Sequence, residues 1–78
     1  MICPRCFKEI GMAQSCPSCG FSFEQEETRR EKANALPLFY RLANRYEIGE
    51  LLGAGGFGIT YLAREIESGE ILAVKEFF

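Results

Sequence analysis

Four cysteines in two closely spaced pairs are the residues of this 78-residue chain with the clearest capacity for chemistry. Each pair belongs to a Cys-Pro-x-Cys unit, and the cysteines are Cys3, Cys6, Cys16 and Cys19. Proline fixes φ at the second position, so each unit can form a tight turn that directs two thiolates to one side. Two such turns supply the four ligands of a tetrahedral zinc ion. Because the chain has no histidine, these cysteines are the complete zinc-ligand set that it offers.

A closed structural metal site is the expected result, since four protein ligands leave no open position for a substrate. The spacing resembles that of a small zinc ribbon, which we assign to residues 1–23. Gly20 follows the last ligand and tolerates the positive φ that turns backbone N–H groups toward sulfur. Three alternatives remain open: iron held by the same thiolates, a redox-active Cys-x-x-Cys pair, and two disulfides.

A second set of residues suited to chemistry lies in the C-terminal half, where a glycine-rich stretch precedes a lysine. Gly53, Gly55 and Gly58 follow a Gly-x-Gly-x-x-Gly pattern that also occurs in dinucleotide-binding folds. The sequence Ile59-Thr60-Tyr61 favours a strand, whereas a dinucleotide fold needs a helix at this point. We therefore expect a hairpin that covers phosphates, and a third strand that returns Lys75 beneath it.

The stretch from Leu52 to Thr60, taken with Ala73-Val74-Lys75, closely resembles the nucleotide-binding start of the eukaryotic-like serine/threonine protein kinases of bacteria. Gly-Gly-Phe-Gly-Ile-Thr-Tyr and Val-Lys-Glu-Phe-Phe are similar to one bacterial subgroup that often carries an N-terminal zinc ribbon. The resemblance implies an incomplete kinase N-lobe over residues 46–78, with ATP as its ligand. For the complete kinase it implies magnesium, a protein substrate and transfer of the γ-phosphate to serine or threonine.

The same resemblance implies a role for each residue of this segment. The backbone amides of the loop would approach the phosphates, Phe57 at the tip would shield them from water, and Lys75 would contact the α- and β-phosphates. Leu52, Thr60 and Ala73 stand where the family lines the adenine pocket, with Thr60 in place of the usual valine. The loop residues assigned to the phosphates are Gly53, Ala54, Gly55, Gly56 and Gly58.

Three strands must position these residues. Residues 46–52 and 59–63 are rich in β-branched and aromatic side chains, and residues 71–78 follow a turn signal at 67–70. The pattern predicts an antiparallel three-strand meander whose first hairpin turns over residues 53–58. The side chains expected to face the core are Tyr46, Ile48, Leu51, Leu62, Ile71 and Val74.

The segment between the two regions, residues 24–45, is predicted to be a charged linker with marginal helicity. Its first part is crowded with glutamate, arginine and lysine and has almost no apolar side chain. A helix here would have no apolar face to bury and would depend on i,i+4 ion pairs such as Glu26 with Arg30. We therefore expect a solvated tether that ends at Leu36-Pro37, with a partner-binding helix as the alternative.

Composition narrows the classes of partner. Nine Lys and Arg residues stand against eleven Glu residues, giving a net charge of −2, the wrong sign for a chain that neutralises nucleic-acid phosphates. No stretch approaches the roughly 20 apolar residues of a membrane-spanning helix, and residues 1–4 do not resemble a signal peptide. We expect a cytoplasmic protein without a membrane segment in these residues and without nucleic acid as a partner.

Aspartate is absent from the chain. Protein kinases use one aspartate to accept the substrate proton and another to hold magnesium. We therefore expect the 78 residues alone to catalyse no phosphoryl transfer, and we interpret them as the beginning of a longer kinase. The alternative is a short protein-interaction module in which the zinc ribbon is functional and the kinase-like segment is vestigial.

Overall fold

The structure, a computed structural model, describes residues 1–77, which form one α-helix and one four-stranded antiparallel sheet. The elements are α1 (Phe23–Ala33), β1 (Arg41–Leu42), β2 (Tyr46–Gly55), β3 (Gly58–Glu65) and β4 (Ile71–Phe77). The strands lie in chain order across the sheet. The predicted meander is therefore present as β2, β3 and β4, and Phe78 lies outside the described residues.

A short additional strand, β1, precedes the meander. Leu42 pairs with Tyr46 across a tight turn in which Ala43 and Asn44 have φ values of 53° and 55°. The prediction of three strands was incomplete, because a strand of two residues has no alternating pattern that a sequence can show.

The glycine-rich hairpin between β2 and β3 is longer and tighter than predicted. Gly55 pairs directly with Gly58, so only Gly56 and Phe57 form the turn. The expected turn over residues 53–58 was too wide, because glycine is disfavoured in strands on average while the ladder with β3 holds these glycines extended. The hairpin is therefore a continuation of the sheet rather than a loop, with β4 paired beside β3 as far as Gly58.

Side-chain alternation gives the sheet two different faces. We call one the core face, since it carries the buried cluster Ile48, Leu51, Ile59, Tyr61 and Ala63. The other we call the open face, since its β3 and β4 side chains are half-buried or exposed: Thr60, Leu62, Arg64, Ile71, Ala73 and Lys75.

The expected core positions are confirmed in part. Ile48 and Leu51 are buried, and Val74 packs against them. Ile71 and Leu62 were wrongly expected to face the core, because β3 and β4 pair with both residues on the open face, where Ile71 is 47% exposed.

Helix α1 packs on the sheet in spite of its charged sequence. The Ser22 hydroxyl caps its start by accepting a hydrogen bond from the Gln25 amide, and Asn34 ends it in the left-handed conformation. Glu26 and Arg30 point inward, are 1% and 7% exposed, and form an ion pair of 2.8 Å. The expectation of a solvated tether was wrong, because this helix buries a charged pair instead of an apolar face.

The buried pair is bonded to the backbone of β2. Glu26 Oε2 accepts the Leu51 amide at 2.7 Å, and Arg30 Nη1 donates to the Gly49 carbonyl at 2.8 Å. The pairing of β2 with β3 shifts register on both sides of Leu51, and we call residues 49–52 the bulged segment. Since β1 is too short to cover this strand edge, α1 satisfies backbone groups that would otherwise be buried without partners.

The N-terminal residues 1–22, which we call the cysteine module, cover the same bulged segment. The Pro4 carbonyl accepts the Glu50 amide at 3.0 Å. Arg5 forms an ion pair of 2.7 Å with the Glu50 carboxylate, and the Phe7 ring lies against Gly49. The bulged segment is therefore held from outside the sheet by both the module and α1.

Replacement of Gly49 by alanine is expected to lower the free energy of unfolding by about 1–3 kcal/mol, the usual cost of overpacking. An added Cβ would collide with the Pro4 carbonyl oxygen and lie 2.9 Å from the Phe7 ring. Gly53→Ala is the matched control in the same strand, because a Cβ there meets nothing within 4 Å. Urea denaturation compares the variants, and equal stabilities would contradict the described contact.

Candidate functional site

The four cysteines converge inside the cysteine module. All four Sγ atoms lie within 4.8 Å of one another. The Sγ atoms of Cys3 and Cys19 are 3.6 Å apart, and those of Cys6 and Cys16 are 3.7 Å apart. A tetrahedron with zinc–sulfur bonds of about 2.3 Å has sulfur–sulfur edges of about 3.8 Å. The four cysteines are thus positioned to hold a metal ion, and the donor set fits zinc.

Two similar turns bring the thiols together. The Phe7 amide donates to the Cys3 carbonyl at 2.8 Å, and the Gly20 amide donates to the Cys16 carbonyl at 2.9 Å. Both turns close with a positive φ, 59° at Phe7 and 81° at Gly20. Glycine adopts this conformation freely, whereas for a bulky residue it is strained. We attribute the strain at Phe7 to the packing of its ring against Gly49.

The thiols differ in their surroundings. Burial raises the pKa of Cys3 to about 12, whereas hydrogen bonds from the Cys19 and Ser18 amides lower the pKa of Cys16 to about 6. All four cysteines are free thiols, so the two-disulfide alternative finds no support. Because metals bind the deprotonated thiolate, a divalent ion would supply the positive charge that the cluster lacks.

The open face of the sheet brings together most of the residues assigned to the nucleotide. Thr60 pairs directly with Lys75, and Leu62 pairs with Ala73. Residues two apart on a strand share a face, so Thr60, Ala73 and Lys75 lie side by side. Leu52, in the bulged segment, follows the buried Leu51 and is 47% exposed.

The glycines of the hairpin fall into two kinds. Gly58 has a φ of 147°, and a Cβ there would collide with the Glu76 carbonyl, so the fold itself requires glycine. At Gly53, Gly55 and Gly56 an added Cβ would meet nothing within 4 Å. The packing of the described residues therefore gives no reason for glycine at these three positions.

The hairpin and the lysine are accessible to a ligand. Phe57 at the tip is 84% exposed, and Ala54, which pairs with Ile59, is also exposed. The exposed Lys75 ammonium lies 5.2 Å from the centroid of the Phe77 ring. Among residues 1–77 no carboxylate forms an ion pair with Lys75, so its charge is available to an anion.

Arg5 and Glu50 connect the two candidate sites, and the sequence analysis did not identify either residue. Glu50, 8% exposed, accepts hydrogen bonds from Arg5 Nε at 2.9 Å and from its Nη2 at 2.7 Å. The signal that could have revealed Glu50 is a glutamate between Ile48 and Leu51, two residues expected to face the core, since a buried carboxylate needs a cationic partner.

Known proteins that resemble the chain are protein kinases. Calcium-dependent protein kinase 14 of Arabidopsis thaliana is 49% identical over 39 residues, which are 50% of this chain and 7% of that kinase. CBL-interacting serine/threonine-protein kinase 13 of the same plant is 59% identical over 34 residues, 44% of this chain and 7% of that kinase. An Aurora kinase of Encephalitozoon cuniculi is 56% identical over 36 residues, 46% of this chain and 13% of that kinase.

These similarities support a kinase-like segment in the chain. The matched residues span only 7 to 13% of the length of these three kinases. No protein-family profile matches the chain, and no solved structure matches it significantly.

Within residues 1–77, no helix has both the length and the apolar character needed to cross a bilayer. The cytoplasmic location and the lack of a nucleic-acid partner stay predictions from the sequence.

Proposed function

We propose that the glycine-rich hairpin and the open face bind ATP, as the beginning of a serine/threonine protein kinase, and that the cysteine module is a structural zinc ribbon. One observation carries the nucleotide proposal furthest. Gly53, Gly55 and Gly56 are glycines without a packing reason, in an exposed hairpin beside a lysine without an ionic partner in residues 1–77. A ligand that must approach the backbone closely supplies the missing reason.

Phosphate fits this position on chemical grounds. Backbone N–H groups of a hairpin without side chains can approach phosphate oxygens, and an ammonium neutralises their charge. The position of Lys75 supports this role, because Lys75 lies on the open face directly opposite Thr60. Thr60 is two residues after Gly58, the last glycine of the hairpin. The exposed Phe57 at the tip is free to fold over the phosphates and exclude water.

Adenine is assigned to the neighbouring part of the open face. Ala73 has a small side chain and lies two residues before Lys75 on the same face. Thr60 and the exposed Leu52 would provide the flanking walls. A base that fills this position also shields apolar side chains from water.

The transfer reaction belongs to a complete kinase rather than to these residues. The relatives support a kinase-like segment by name, and the chain has no aspartate to accept a proton or hold magnesium. We assign ATP binding to this chain, and we assign magnesium, the protein substrate and transfer to serine or threonine to the parent protein.

Zinc is proposed for the cysteine module because four thiolates at tetrahedral spacing are its usual structural environment. The ligands are Cys3, Cys6, Cys16 and Cys19. Bound there, zinc would cross-link the two turns of a module too small for a substantial apolar core.

An NMR titration with ATP tests nucleotide binding. Amide shifts are expected to move at residues 52–60 and 73–75, with weak affinity. Lys75→Ala is expected to weaken binding about tenfold to a hundredfold, the loss of one charge-assisted hydrogen bond of about 1.5–3 kcal/mol. Lys32→Ala is the matched control, because Lys32 is an exposed lysine on α1. Shifts spread over the whole surface, or an equal loss in both variants, would argue against this site.

A further inference from the structure

Arg5 joins the cysteine module to the strand that leads into the hairpin. Its Nε and Nη2 atoms donate to Glu50 Oε2 at 2.9 and 2.7 Å. Its Nη1 atom donates to the Cys19 carbonyl at 3.2 Å. One guanidinium therefore bonds both to the backbone of a candidate metal ligand and to a nearly buried carboxylate of β2.

The backbone provides a second connection at the same point. Pro4 and Arg5 lie between Cys3 and Cys6, so their positions depend on the turn that presents those thiols. The Pro4 carbonyl accepts the Glu50 amide at 3.0 Å. Both residues enclosed by the first ligand pair thus bond to Glu50.

Glu50 lies where β2 is least fixed by the sheet itself. The register with β3 shifts between Ile48 and Leu51 and again between Leu51 and Gly53, so a regular ladder does not determine the path of the strand here. The glycine-rich hairpin begins directly after this bulged segment. Contacts from outside the sheet therefore help to set the path of β2 as it enters the hairpin, whose other strand stays paired with β4 as far as Gly58.

We infer that Arg5 and Glu50 are positioning residues for the hairpin and that they couple metal occupancy of the cysteine module to nucleotide binding. The inference rests on the proposed function of the hairpin. A metal ion orders the turn around Pro4 and Arg5, the turn holds Glu50, and Glu50 fixes the bulged segment. Because coupling between two binding sites is reciprocal, ATP must raise the affinity for the metal by the same factor.

Hydrogen exchange of the full chain tests the physical link without any nucleotide. Removal of zinc under reducing conditions is expected to accelerate amide exchange in residues 50–55 by about 5- to 150-fold, the usual range of coupling between sites. The β4 side of the β3–β4 ladder serves as the internal reference, because β4 pairs with β3 alone and no described hydrogen bond or ion pair joins β4 to the cysteine module. Unchanged exchange in residues 50–55 would overturn the inference, as would equal acceleration in the ladder, which would mean general unfolding.

Nucleotide titrations with and without zinc test the functional consequence. ATP affinity is expected to fall when zinc is removed, and equal affinity in both states would overturn the inference. If ATP binds in neither state, the proposed function fails instead, and the exchange experiment still decides whether the link exists.

Variants that keep all four cysteines distinguish a positioning role of Arg5 and Glu50 from loss of the metal. The variants Arg5→Ala and Glu50→Gln are each expected to bind one zinc ion, but to lose most of the effect of zinc on ATP affinity. The double variant should be no worse than either single one, since both break the same link. Arg5→Lys should restore little, because lysine lacks the planar fork that reaches two acceptors. Arg45→Ala is the control, since Arg45 forms its ion pair with Glu65 and no described hydrogen bond or ion pair joins either residue to the cysteine module. Additive losses in the double variant would contradict a shared link.

Discussion

Removal of the metal is expected to unfold the cysteine module. Apparent binding energies of structural zinc are about 10–16 kcal/mol in small peptides, more than the whole stability expected for a domain of this size. Without the ion, the buried sulfur atoms of Cys3 and Cys16 keep only hydrogen bonds from nearby amides and contacts with the other two thiols. Circular dichroism melting with and without a chelator measures the effect, and metal analysis of the purified protein decides between zinc and iron.

Two variants of the cysteine module, one that removes a ligand and one that keeps all four, serve as comparisons for this experiment. Cys16→Ser should behave like the chelated protein, because it removes one ligand of four. Ser18→Ala, in the same turn, should keep the metal, because its side chain is exposed and is not among the ligands. A chelated protein that melts at the unchanged temperature would show that the cysteines stabilise the fold without a metal.

Replacement of Glu26 by glutamine is expected to cost about 3–5 kcal/mol of unfolding free energy, the usual loss on breaking a buried ion pair. The change leaves the Arg30 guanidinium buried without its carboxylate. Glu27→Gln is the matched control on the same helix, since Glu27 is exposed and should change stability by less than about 0.5 kcal/mol. Urea denaturation compares the two, and similar losses would contradict the burial of Glu26.

An apolar double variant, Glu26→Leu with Arg30→Met, tests whether the hydrogen bonds of the pair to β2 matter in addition to its charges. In some proteins an apolar replacement of a buried ion pair is neutral or stabilising. Here we expect no recovery, because the pair also satisfies the Leu51 amide and the Gly49 carbonyl, and each unsatisfied group costs about 1–3 kcal/mol. Full recovery of stability would mean that water satisfies the Leu51 amide and the Gly49 carbonyl in place of the two side chains.

The cysteine cluster and the hairpin were predictable from the sequence because each has a short-range pattern. Ligand spacing predicted that Cys3, Cys6, Cys16 and Cys19 converge, and this is confirmed. The strand-forming residues after Gly58 correctly predicted a strand where a dinucleotide fold has a helix. The kinase-like character is supported by the comparisons, whereas zinc and ATP binding and the individual site residues stay predictions.

The packing of α1 could not be predicted in the same way. Hydrophobic patterning detects buried faces by their apolar side chains, and this helix buries Glu26 and Arg30. The i,i+4 pair was correctly expected, but its burial depends on backbone groups of β2 that local sequence does not reveal. The ion pair between Arg5 and Glu50 was not predicted either, because the two residues are 45 positions apart in the chain.

The contact between the cysteine module and β2 has a consequence for the order of folding. The Arg5–Glu50 contact closes a separation of 45 residues, whereas the sulfur atoms of Cys3 and Cys19 are 16 residues apart. Short loops close at lower entropic cost, and during synthesis Cys19 is added well before Glu50. The ribosome therefore synthesises all four metal ligands before it synthesises β2, the strand that the cysteine module contacts. A metal ion bound by the nascent chain would therefore already present Pro4 and Arg5 to β2 as that strand is made.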